Sequence, residues 1–279
     1  MISLDGRSLK QSILDKIRLE VGKLSVKPKL VVIQVGNLEA SNIYISQKAK
    51  MAAYVGYEFL HLKHDDISED ELIEEIEKLN NDKSVHAILV QMPLPNGFDK
   101  SRIQNAITPL KDVDGLTDIN MGKLAHNKDG LCPCTPAGVI TLLKKYNIPI
   151  ASKHAVVVGR SDLVGKPMAL MLLRENATVT LCHSKTKDLA KYTKDADILV
   201  VAAGVAGLVK DDMVKDGAVV IDVGINRIGD KLVGDVESDT VSKKASYITP
   251  VPGGVGQMTV ATLSQNVLKA YKLQGGNQQ

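Results

Sequence analysis

Residues 154–166, HAVVVGRSDLVGK, run from an unbroken aliphatic stretch through Gly159 into a helix-forming segment, 163–175. A buried strand, a tight turn and a helix in that order form the setting in which a helix N-terminus receives phosphate. The pattern departs from GxGxxG, with Ser161 at the middle glycine and Gly165 one place late. It reads either as a dinucleotide site or as a structural βα turn, and the β-α-β context favours the first. Further strands are expected at 178–182, 197–204 and 217–224. Residues 180–187, TLCHSKTK, carry hydroxyls and cations and no carboxylate before Asp188. An NAD site places an acid there for the ribose hydroxyl, whereas a 2′-phosphate requires charged donors, to which Arg160 would add. NADP is therefore favoured over NAD, against the bland alternative of a solvated basic loop.

The N-terminal half shows the same alternation. A stripe of Leu9, Ile13, Ile17, Val21 and Leu24 predicts an amphipathic helix. Strands follow at 30–36, 57–62 and 86–91, the last stopped by Pro93 and Pro95. Helices are expected at 40–55, 69–80 and 99–107, with Glu69, Asp70 and Glu71 at the positive end of the second. Residues 108–136 read as loop, 137–146 as helix, 249–256 as loop and 258–272 as the final helix. GGNQQ, 275–279, reads as a disordered tail. The pattern predicts two α/β units with parallel sheets, the boundary falling within 115–150.

Composition narrows the function. With 44% hydrophobic and 24% charged residues in 279, the chain is globular rather than disordered. Seven Tyr, two Phe and no Trp leave few platforms for stacking single-stranded bases. The net charge of +3 comes without a basic block, so no nucleic-acid footprint is expected. The low-charge stretch 198–209 is too short to span a membrane. MISLDGRSLKQ, 1–11, has no apolar signal core, and a cytoplasmic location is expected. Cys132, Cys134 and Cys182 suggest neither a disulfide framework nor a metal knuckle, and the six histidines show no ligand spacing.

Polar residues recur where α/β sheets place ligands. Ser41, Tyr44 and Lys48, at i, i+3 and i+7, share one helix face beyond strand 30–36. That face is either solvated surface or a site in which a desolvated lysine carries protons near neutral pH. Gln91 ends a buried strand, as loop support or as a residue facing Lys48. KDVDG, 111–115, is a turn or a ligand-binding carboxylate, and PVPGGVG, 250–256, a bend or a ligand-side backbone.

In combination these segments are specific. Tyr44-x3-Lys48, VQMPLP (90–95), KDVDGL (111–116), PCTPAG (133–138), VVGRSDLVGKP (157–167), DVGIN (222–226) and TPVPGGVGQMT (249–259) occur in order across nearly the whole chain. The sequence resembles the bifunctional methylenetetrahydrofolate dehydrogenase/methenyltetrahydrofolate cyclohydrolase family. The resemblance implies a folate-binding catalytic domain, 1–120 plus 256–279, and a Rossmann-like NADP-binding domain, 121–255, with the active-site cleft between them. It implies NADP-dependent oxidation of 5,10-methylenetetrahydrofolate and hydrolysis of the methenyl product to 10-formyltetrahydrofolate. This is one-carbon metabolism that feeds purine biosynthesis, by a metal-free homodimer joined through the nucleotide-binding domain.

By motif position the resemblance makes Lys48 the catalytic lysine and Gln91 its hydrogen-bond partner. Tyr44 would stack on the folate's aminobenzoyl ring, and Asp114 would accept from the pterin's N–H edge. Ser41, Pro93, Pro252 and Gly253 complete the substrate side. Gly159, Arg160, Ser161, Gly165, His183 and Ser184 would hold the cofactor, with Gly204 and Ile225 on its nicotinamide side. The family usually has proline where Gln257 stands, and a looser start to the last helix is expected. A dehydrogenase lacking the hydrolytic step, and a binding module without turnover, are the alternatives.

Overall fold

The computed structural model describes residues 1–276, apart from the side chain of Ala40. The elements are β1 (Ile2–Ser3), α1 (Gly6–Gly22), β2 (Lys29–Val35), α2 (Glu39–Val55), β3 (Glu58–His64), α3 (Glu69–Asn81), β4 (Ala87–Val90), α4 (Lys100–Ala106), α5 (Asp118–Ala125) and α6 (Cys134–Lys145). Then come β5 (His154–Val158), α7 (Gly165–Arg174), β6 (Thr178–Cys182), α8 (Ala190–Thr193), β7 (Ile198–Val201), β8 (Val219–Asp222), β9 (Asn226–Ile228), β10 (Lys231–Val233), α9 (Ser238–Val241), β11 (Tyr247–Ile248) and α10 (Val255–Leu273).

One compact unit comprises residues 11–134 and 260–279. Its sheet is parallel, in the order β3-β2-β4. Every residue of β2 after Lys29 is buried, which explains its aliphatic run: both faces are covered and no polar alternation is possible. Val31, Ile33, Ile88 and Val90 pack with Leu72 and Ile76 of α3. That helix opens on a capping box: Ser68 accepts from the Glu71 N–H, and the Glu71 carboxylate accepts from the Ser68 N–H. Edge strand β3 exposes Glu58, His61 and Lys63, charged or polar positions that discourage pairing with another chain. The end of α10 is anchored by Tyr57 Oη donating to Ser264 O at 2.9 Å and Gln274 Nε2 to His86 O at 2.8 Å.

The other unit comprises residues 1–10 and 135–259. Six parallel strands run in the order β1-β11-β8-β7-β5-β6. From β5 the chain places β6 on one side and β7 on the other, and so creates a topological switch point where open α/β sheets bind ligands. Val156, Val158, Leu199, Val201 and Val220 form the centre of its core.

Several expectations change. Residues 1–10, expected with the first domain, lie in the second unit, whose sheet they extend: Ile2 and Ser3 pair with Tyr247 and Ile248. Gly6 N donates to Gly253 O at 3.0 Å, and a Cβ on Gly6 would lie 2.2 Å from Gly254 O, so glycine is required there. The units divide at 134/135 and 259/260 rather than 120/121 and 255/256. The stretch 108–136 is not all loop. Thr117 caps α5 by accepting from Asn120 N, and α6 already begins at Cys134. Of the expected tail, Gly275 and Gly276 form a turn, Gly276 N donating to Tyr271 O, and 277–279 lie outside the described residues. Among the described residues no helix is long and apolar enough to cross a membrane, and no three His, Cys, Asp or Glu side chains converge to hold a metal.

Candidate active site

Gln91 is the first residue past β4. Its N–H still joins the sheet, donating to Ile33 O at 2.8 Å. Its side-chain Nε2 donates to Met92 O at 2.6 Å, which leaves Oε1 free to accept from Lys48 Nζ, also at 2.6 Å. Burial pushes the Lys48 amine below the usual lysine range, and the Asp114 carboxylate pulls it back up. An amide partner contributes only a partial charge, so it opposes the effect of burial less than a carboxylate would.

Ser41, Tyr44 and Lys48 do not form a uniformly solvated face. Ser41 is buried, Lys48 half-buried and Tyr44 45% exposed. The gradation leaves the Tyr44 ring accessible to a flat ligand one helical turn before the amine. Pro93 is exposed and follows a cis Met92–Pro93 bond.

Asp114 sits in a loop held by its neighbours. Lys111 Nζ donates to the carbonyls of Leu79, Asn80 and Asp82 and so closes the end of α3. Asp112 is fully buried. Its Oδ1 accepts from Gln104 Nε2 and Gly115 N, and its Oδ2 from Thr117 N and Asn120 Nδ2. Gly115 has φ +69°, and a Cβ there would lie 2.4 Å from the Cys132 carbonyl carbon. In KDVDG, then, Lys111, Asp112 and Gly115 build the loop and Asp114 is presented by it. Burial pushes the Asp114 carboxyl up; Lys48 opposes this, Asp112 reinforces it, and a hydrogen bond from Cys134 lowers it again.

Cys134 is the neighbour that motif reading passed over. Its thiol donates to Val113 O at 3.3 Å, and Asn266 Nδ2 lies 3.6 Å from its sulfur. Burial, then the Asp114 charge, pushes the thiol well above the usual cysteine range, so it is a neutral group. The signal was the PCTP motif, which by itself names no role.

In the other unit the expected cofactor residues cluster at the carboxyl ends of β5, β6 and β7. A Cβ on Gly159, with φ +125°, would lie 2.1 Å from Ala202 O, and one on Gly165 would lie 2.1 Å from Gly159 O. These two glycines let adjacent strand ends and the first turn of α7 approach closely. Ser161 Oγ accepts from Val164 N and Gly165 N. Arg160 is exposed and has no ion-pair partner among the described residues, Ser184 is exposed, and His183 Nδ1 accepts from Lys185 N at 3.2 Å. A free guanidinium, hydroxyls and a lysine without an opposing carboxylate suit a dinucleotide with an added phosphate.

Gly204, at φ +69°, and exposed Ile225 follow β7 and β8. Pro252 is exposed beside buried Gly253, on the loop that Gly6 contacts. Gln257 stands in the first turn of α10. Its N–H donates to Gly254 O at 3.1 Å, and its Oε1 accepts from Lys10 Nζ at 2.5 Å.

Known proteins match over both units. The family model for the tetrahydrofolate dehydrogenase/cyclohydrolase catalytic domain matches residues 4–114, and that for the NAD(P)-binding domain of the same family matches 133–275. A protein of Agathobacter rectalis named bifunctional protein FolD is 51% identical over 274 residues, covering 96% of this chain and 98% of that protein. The crystal structure of the bifunctional FolD methylenetetrahydrofolate dehydrogenase/cyclohydrolase from Campylobacter jejuni is similar, with a TM-score of 0.96, 48% identity, and 98% and 99% of the two chains covered. That of the Trypanosoma brucei enzyme, complexed with NADP cofactor and inhibitor, has a TM-score of 0.94 and 37% identity, with 98% of each chain covered. With both domain models matched in order and relatives near half identity over almost the full length, the chain belongs to the tetrahydrofolate dehydrogenase/cyclohydrolase family.

Proposed function

We propose that the protein oxidises 5,10-methylenetetrahydrofolate with NADP and hydrolyses the methenyl product to 10-formyltetrahydrofolate, and that Lys48 is the proton-carrying residue. The observation that carries the assignment is the amine of Lys48, half-buried, depressed in pKa and hydrogen-bonded to the neutral Gln91 amide. NADP supplies the hydride acceptor for the oxidation. Arg160, Ser161, His183 and Ser184 bind its phosphates and ribose, Gly159 and Gly165 shape the turn, and Gly204 and Ile225 lie on its nicotinamide side.

Tyr44, Ser41 and Pro93 orient the folate, and Asp114 accepts from the pterin's N–H edge. Orientation of the one-carbon bridge is the protein's main contribution to the oxidation. In the hydrolysis, water adds to the cationic methenyl carbon and Lys48 Nζ takes one of its protons, giving a neutral carbinol adduct. Nζ then returns that proton to N5 as the bond from the carbon to N5 breaks, and the carbinol O–H loses its own proton to solvent, leaving the formyl group on N10 and one proton released overall. An amine of ordinary basicity is almost wholly protonated at neutral pH and has little capacity as a base, so the depressed pKa suits the role.

The same reading carries a folate-binding domain, a separate nucleotide-binding domain, a cytoplasmic location and a homodimer joined through the nucleotide-binding unit. Supporting the last, β6 ends that unit's sheet and leaves Leu181 exposed. Purified protein given methylenetetrahydrofolate and NADP should show methenyl absorbance rising and then decaying. Lys48→Met should abolish hydrolysis of added methenyl substrate without unfolding the chain; full hydrolysis by this variant would remove Lys48 from the role.

A further inference from the structure

Two acidic residues that motif reading left without a role form one buried construction in the nucleotide-binding unit. Asp222 ends β8, and Asp235 follows the β9-β10 hairpin. Asp222 is 1% and Asp235 0% exposed, and neither has a cationic partner among the salt bridges of the described residues. Backbone donors take that place. Asp222 Oδ1 accepts from Gly224 N at 3.0 Å and Asp235 N at 2.9 Å, and its Oδ2 from Val236 N at 3.0 Å. Asp235 Oδ2 accepts from Ala203 N at 2.7 Å and Gly204 N at 2.8 Å, and its Oδ1 from Asn226 Nδ2 at 2.8 Å.

The glycines on either side are shaped to the carboxylates. A Cβ on Gly224 would lie 2.2 Å from the Asp235 carboxyl carbon, and one on Gly234 would lie 1.8 Å from Asp222 Oδ2. Each carboxylate thus occupies the side-chain space of a glycine next to the other. The β7 exit turn and the residue after Ile225 are both tied to Asp235, and Asp235 is tied to the end of β8 through Asp222. A buried anion satisfied by several N–H dipoles is a rigid fixture, because any movement of a turn leaves charge unpaired in a low-dielectric interior.

We propose that Asp235 is a positioning residue for NADP, acting through the turns of Gly204 and Ile225 rather than by touching the cofactor. This rests on the functional reading above, which places those two turns on the nicotinamide side. A carboxylate anchored only to hold the core together would need no bonds to two successive N–H groups of a strand-exit turn. A cofactor face, by contrast, requires the exit turns of neighbouring strands to be held in one mutual arrangement before the ligand arrives.

The test is titration calorimetry of NADP into the purified full-length protein and its variants, with thermal midpoints measured without nucleotide. Asp235→Ala should raise the Kd for NADP at least tenfold. Asp235→Asn should match the parent Kd, because the Asn226 amide can turn over and accept from the new NH2 while the remaining oxygen keeps both turn N–H groups. Asn226→Ala removes one arm only and should raise the Kd about threefold with a midpoint within a few degrees of the parent. It keeps the proposal testable if Asp235→Ala does not fold. Parent-like Kd values for folded Asp235→Ala or for Asn226→Ala would overturn the proposal. Failure of the unsubstituted protein to bind NADP would instead overturn the functional reading beneath it.

Discussion

Lys48 and Gln91 stand 43 positions apart and meet at 2.6 Å, and the Gln91 amide is oriented toward the amine because its own NH2 is committed to Met92 O. The pairing of a half-buried amine with a neutral acceptor sets its proton affinity, on which the hydrolytic role proposed for Lys48 rests.

Gln91→Glu tests that setting with little change in shape. A carboxylate at this position favours the ammonium form, so the Lys48 pKa rises and less free amine is present at any given pH. The pH profile of cyclohydrolysis should move to higher pH, with activity at neutral pH falling roughly tenfold for each pKa unit gained. An unshifted profile with reduced activity throughout would mean that Gln91 acts by shape rather than by charge.

Gly6→Ala tests the unforeseen placement of the N-terminal segment. The added methyl would lie 2.2 Å from Gly254 O, a backbone atom that cannot turn aside. The loop carrying Pro252 and Gly253 must shift, at a cost of about 1–3 kcal/mol. Urea denaturation should show that loss. Unchanged stability would indicate that the segment is only loosely joined to the sheet.

The Asp222 carboxyl predicts a pH dependence of stability. Burial first, and the Asp235 charge after it, push its pKa from 3.8 to about 6, against the backbone bonds that lower it. The folded state therefore keeps a proton that the unfolded chain has released between pH 4 and 6. Stability from this group is present below about pH 4 and declines as the pH rises through 6, by about 3 kcal/mol in all. In Asp222→Asn that slope should vanish from denaturation curves taken between pH 4 and 7, whatever constant offset the lost acceptor adds. Parallel pH curves for the two proteins would refute the assignment.

Most of the strands and helices were legible because their signals are local. The aliphatic runs of β2, β4, β5 and β7 and the acidic, capped start of α3 need only nearest neighbours to be recognised. Helix α5 was missed because its one clear signal, the Thr117 cap, sits in a stretch otherwise rich in turn residues. Ser41, Tyr44 and Lys48 could be placed on one helix face from spacing, but spacing could not show that Ser41 is buried, Tyr44 exposed and Lys48 half-buried.

The sequence by itself determined two parallel α/β units, a nucleotide-type turn after β5 and the motif set that names the family, since each depends on residue type and short-range order along the chain. The tertiary structure alone decided that Met1–Lys10 completes the second unit's sheet, that the Gln91 amide is turned toward Lys48 by its own bond to Met92 O, and that Asp222 and Asp235 interlock through Gly224 and Gly234. Those relationships join residues brought together only when the sheets form. Their strength comes from excluding water from polar groups, a condition that exists once the chain is packed and has no counterpart in the linear order of residues.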